Sequence, residues 1–102
     1  MCFIHVLLNA LDMEEKGDES RIIIEGAATK LIPELVKESN SLHNLWEMVK
    51  AKGLVEGICK ACSMKMDTLK IAEKEGLKLL DEMNGHPSMS YYIQRGFKVI
   101  SF

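Results

Sequence analysis

Three consecutive isoleucines, Ile22-Ile23-Ile24, stand between a charged segment and Glu25-Gly26. A β-branched run without alternation fits a strand buried on both faces, and such strands belong to parallel sheets covered by helices. With its flanking arginine the strand reads as Arg21–Ile24. Leu54–Cys59 reads as a second strand, built on Leu54, Val55 and Ile58, with Gly57 permitting close backbone approach. Phe97–Phe102, carrying Val99 and Ile100, reads as a terminal strand.

The segments between these runs carry helical periodicity. Residues 2–16 are rich in Leu and Ala and stop at Gly17. The first three turns are apolar nearly all round, which predicts a well-buried helix; a strand over Cys2–Leu8 is the competing reading. In Ala27–Glu38 the residues Ala28, Leu31, Ile32, Leu35 and Val36 share one helical face. Pro33 conflicts with a continuous helix, so the helix either starts near Pro33 or kinks there. Leu42–Lys52 follows, capped by Asn40 or Ser41, with Leu42, Leu45, Trp46 and Val49 as its apolar positions. Asp67–Glu75 and Ser88–Arg95 complete the set, and Leu77–Leu80 is a short apolar run of either type. Helices alternating with buried strands predict an α/β fold: one domain over residues 1–102, in three layers, with a mainly parallel sheet and helices on both faces.

Composition narrows the function classes. Of 102 residues, 47% are apolar and 27% charged, with a net charge of −2. That balance excludes a disordered chain and the basic footprint of a nucleic-acid binder. No stretch reaches the roughly 20 apolar residues of a membrane span. The start lacks the basic residues of a signal peptide. An odd count of three cysteines makes a poor disulfide framework. These features predict a cytoplasmic protein without nucleic-acid or membrane partners.

The chemistry concentrates in Cys59-Lys60-Ala61-Cys62-Ser63, where a strand ends and a helix follows. In open α/β sheets, ligands bind at that edge. Helix N-termini and nearby cations, Lys60 and Lys65, favour thiolate there, the form that attacks sulfur. The prediction is a depressed pKa at Cys62 or Cys59. Two other readings stay open: both cysteines as small core hydrophobes, or a zinc or iron–sulfur site in which Cys59 and Cys62 are joined by Cys2, His5, His43 or His86. A thioredoxin-type pair fits less well, because that pair follows the first strand and opens a long helix. His86, just ahead of Pro87, can bind an anion or move protons near neutral pH; otherwise it faces solvent while Ser88 caps the next helix. His43 reads as a surface residue. Met64, Met66, Met83 and Met89 flank these loops and read first as core filling, second as a pliable lining for a partner. Topology predicts that Cys2, Cys59, Cys62 and His86 meet at the carboxyl edge of the sheet.

The segments Leu7–Asp12, Ile22–Ala28, Gly57–Cys62, Gly85-His86 and Gly96–Ile100 resemble the DsrE/DsrF-like family of small sulfur-relay proteins along nearly the whole chain. Members of that family open with a strand before their first helix, whereas this sequence opens directly with the segment corresponding to the helix. The resemblance implies a parallel α/β sheet, cytoplasmic homo-oligomers (trimers or hexamers), and a cysteine that carries sulfur as a persulfide. It transfers that role to Cys62 or Cys59, with Cys62 the closer match and Cys59 a second or resolving thiol. Lys60, His86 and Cys2 are supporting residues. The partners are sulfur donor and acceptor proteins, and no cofactor is required. The alternatives are a metal- or small-ligand-binding module and an oligomeric interaction subunit without chemistry. Oligomerisation is expected independently, from apolar surface around Trp46, Met48 and the terminal strand.

Overall fold

The computed structural model describes residues 3–102. Cys2, expected to begin the first helix, lies outside the described residues. The architecture is α/β: a parallel three-stranded sheet with helices packed around it. Helix α1 (Phe3–Glu15) leads to β1 (Ile22–Ile24). A 3-10 segment (Gly26–Leu31) runs into the short helix α2 (Ile32–Leu35), and α3 (His43–Ala51) follows. Then come β2 (Val55–Cys59), α4 (Lys60–Lys65), α5 (Leu69–Lys74), β3 (Leu79–Leu80) and α6 (Met89–Ile93). The strands lie in the order β1-β2-β3, each parallel to its neighbour.

The core explains why these elements form. Leu7, Ile24, Ile32, Leu35, Trp46, Val49 and Ile58 are almost fully removed from water. Their burial is the main favourable term, at about 25 cal/mol per Å² of apolar surface. Helix α1 buries one stripe only, Phe3, Leu7 and Ala10, and leaves Ile4 and Leu8 exposed. The all-round burial expected for it is therefore corrected: α1 packs on α3 along one side. Pro33 resolves as the sequence required. It has no N–H to donate and sits in the first turn of α2, where none is needed. The carboxamide oxygen of Asn40 accepts the Leu42 N–H at 2.8 Å and sets the chain for α3.

Two expectations fail. Residues Phe97–Phe102 form no strand. The third strand is the short run Leu79–Leu80, which pairs with Ile58 and Cys59. Gly57 permits this pairing: a Cβ there would lie 2.4 Å from the Lys78 carbonyl oxygen and 2.9 Å from Leu80 Cγ. The terminal segment instead lines a cleft of about 290 Å³ beside β1, with Phe3, Val6, Ile23 and Tyr92. Val99, Ile100 and Phe102 are exposed along it. Trp46, expected at an exposed apolar patch, is wholly buried, with Lys50 Nζ 5.8 Å from its ring centre. Among the described residues, no helix is long and apolar enough to cross a membrane.

Candidate functional site

Because the strands are parallel, their carboxyl ends share one edge of the sheet. Cys59 is the last residue of β2 and also caps α4. Its backbone is extended, and its Sγ accepts the Cys62 N–H at 3.3 Å. Its carbonyl accepts the hydroxyl of the buried Ser63 at 2.8 Å, which fixes the strand-to-helix corner. Three residues on, Cys62 stands half-buried in the first turn of α4. The corner is sharper than a loop: no residues intervene between β2 and α4, so Lys60–Cys62, expected as a loop, are helical.

His86 reaches this corner from the far side of β3. Met83 and His86 exchange both backbone hydrogen bonds at 2.9 Å. Between them Asn84 and Gly85 have φ of 50° and 89°, the signature of a type I′ turn. The Gly85 carbonyl then accepts the Ala61 N–H at 2.8 Å, tying the turn to α4. A side chain at Gly85 would press on Ala61, since its Cβ would lie 3.3 Å from the Ala61 Cβ. The imidazole Nδ1 ends 3.2 Å from Cys59 Sγ and 3.9 Å from Cys62 Sγ. Both sulfurs and an imidazole nitrogen lie within 4.8 Å of one another.

The two thiols are not equivalent. Cys59 is buried, and burial pushes its thiol up to about 11. Its side-chain hydrogen bond with Cys62 raises it further, against the Cys62 backbone N–H, which lowers it. The charges of Cys62 and of Glu25, just past β1, push the same way as burial. The depressed pKa expected for this pair is thus reversed at Cys59. Desolvation outweighs the local donors, and Lys60 is engaged elsewhere, its Nζ 3.7 Å from the Asp81 carboxylate. Cys59, Cys62 and His86 form one cluster, Lys60 stands at its border, and Cys2 lies outside the described residues. His43 is half-buried rather than on the surface, its ring Nδ1 2.8 Å from the Leu35 carbonyl oxygen.

Asp81 and Asn84 join the site without having stood out in the sequence, whereas Glu25 was expected at this edge as the end of the first strand. Asn84 had a signal: an Asn-Gly pair marks a tight turn. Met64, Met83 and Met89 are exposed, which overturns their reading as core filling. Met64 lies two residues beyond Cys62, and Met83 pairs with His86.

Two sulfurs and an imidazole nitrogen suit thiol chemistry, and they equally form three ligands of a thiophilic metal ion such as zinc. Over 97 residues the sequence is 37% identical to a Methanocaldococcus jannaschii protein named uncharacterized protein MJ0733, spanning 95% of this chain and 77% of that protein. The chain belongs to the family of that archaeal protein. An Archaeoglobus fulgidus protein, also named uncharacterized, is 43% identical over 37 residues, its whole length and 36% of this chain. No protein-family model matches the sequence. No solved structure matches it.

Proposed function

We propose that this chain is a cytoplasmic sulfur carrier of the DsrE/DsrF-like type, with Cys62 as the sulfur-bearing thiol. The observation that supports this most is the pairing of an accessible thiol with a proton acceptor. Cys62 is the more open of the two cysteines, and its Sγ lies 3.9 Å from His86 Nδ1. In the tautomer protonated at Nε2, that nitrogen takes the thiol proton. The Cys62 thiolate attacks the terminal sulfur of a donor persulfide. The donor S–S bond breaks, the donor thiolate leaves, and Cys62 becomes a persulfide. Delivery is the same exchange with an acceptor thiolate attacking the terminal sulfur.

The exposed Met64 and Met83 beside the thiol provide polarizable apolar surface for the donor and acceptor proteins. The exposed Val99, Ile100 and Phe102 support self-association as a homo-oligomer. The test loads the protein with glutathione persulfide, removes the donor at once, and measures cyanide-reactive sulfane sulfur per chain. The expected result is close to one on the native protein, none on Cys62→Ser, and loss of the label to an added acceptor thiol. Equal labelling of native and Cys62→Ser protein would contradict the reading.

A further inference from the structure

We infer that Cys59 limits the lifetime of the carried sulfur: it attacks the Cys62 persulfide, releases hydrosulfide and closes a Cys59–Cys62 disulfide that a dithiol reductant must reopen. This rests on the carrier reading above. The geometry motivates it. Cys59 Sγ lies within 4.8 Å of Cys62 Sγ and touches the same imidazole nitrogen, at 3.2 Å against 3.9 Å. A disulfide needs the sulfurs at about 2.05 Å, so closure requires the two side chains to swing together. No other protein has to reach Cys59, which is buried.

The step balances. A Cys62 persulfide has two sulfurs, and attack on the inner one expels the outer. Cys59 loses its proton to His86 Nδ1, its thiolate bonds to Cys62 Sγ, and the Cys62 S–S bond breaks. The departing pair leaves as hydrosulfide. The carried sulfur gains two electrons, and the two cysteines together lose two. Resetting takes two electrons and two protons from a protein dithiol, through a mixed disulfide with the more accessible Cys62. Cys59 is buried and both side chains must swing before the sulfurs meet, which keeps this release slow. His86 Nδ1 lies 3.2 Å from the Cys59 sulfur, close enough to take its proton, and the Gly85 carbonyl oxygen lies 3.8 Å from the same sulfur. A docked acceptor therefore takes the sulfur first, and an unclaimed persulfide is discharged as sulfide.

The experiment follows freshly loaded protein by intact mass and by released sulfide, with a chelator present and no reductant. Cys59→Ser is the comparison, because a serine hydroxyl retains the cap on the Cys62 N–H. Cys59→Ala, checked by circular dichroism, serves as a second variant. Expected for the native protein is loss of the added mass of about 32 Da, one sulfide per chain, and a product about 2 Da below the dithiol that dithiothreitol restores. Both Cys59 variants should hold the added sulfur at least about tenfold longer. Equal persulfide lifetimes in native and variant proteins, or sulfide release without a disulfide, would overturn the inference while leaving the carrier reading standing. A Cys59→Ser protein that never gains sulfur would fail the carrier reading, and the release step would fall with it.

Discussion

Cys59 and Cys62 are three residues apart, yet one is sealed and the other accessible. Folding raises the Cys59 thiol from its ordinary 9.0 to about 11. The folded chain therefore holds this proton more tightly than the unfolded chain does. The resulting stability is fully present below pH 9 and is lost as pH rises through about 11. Urea unfolding midpoints should fall over that window in the native protein and fall less in Cys59→Ser. Iodoacetamide at neutral pH should label Cys62 and spare Cys59, as peptide mapping would show; equal labelling would contradict the burial argument. His86→Ala should slow sulfur loading at least about tenfold and alter its dependence on pH, since a proton acceptor leaves the site. The residue identities at this site were legible in the sequence, because two thiols and a histidine next to strand ends announce chemistry. The direction of the Cys59 shift was not, because it depends on how much protein covers one sulfur.

Elements set where these side chains arrive. The turn Met83–His86 carries the imidazole to the thiols through two left-handed residues, Asn84 and Gly85. Gly85→Ala would strain a φ of 89° and crowd Ala61, costing about 1 kcal/mol or more. Thermal unfolding measures that cost, and the loading rate should fall with it as His86 moves away. Gly57→Ala would place a methyl against the Lys78 carbonyl and Leu80, costing roughly 1–3 kcal/mol and loosening β3 from β2. The isoleucine strand, the strand ending at Cys59 and most helices were readable from periodicity. The third strand was not. Leu79–Leu80 is two residues long, and what makes it a strand is the missing side chain at Gly57 in its neighbour. Phe97–Phe102 has strand-like composition but no paired partner, so composition misassigned it.

Across the whole molecule, the parallel sheet gathers Glu25, Cys59 and the His86 turn at its carboxyl ends, the edge topology assigns to ligands. The cleft beside β1 runs from Glu25 and Pro87, next to the His86 turn, to the exposed Val99, Ile100 and Phe102. That surface, rather than the buried Trp46, carries the expectation of a homo-oligomer. Light scattering at micromolar concentration should give a multiple of the chain mass, and a monomer would refute it. The central claim is that Cys62 accepts sulfur, and its most direct measurement is the intact mass of Cys59→Ser and Cys62→Ser proteins after incubation with glutathione persulfide. Cys59→Ser should gain about 32 Da, mapped to the peptide holding Cys62, and Cys62→Ser should gain nothing. An unmodified Cys59→Ser protein, or sulfur carried equally by Cys62→Ser, would contradict it.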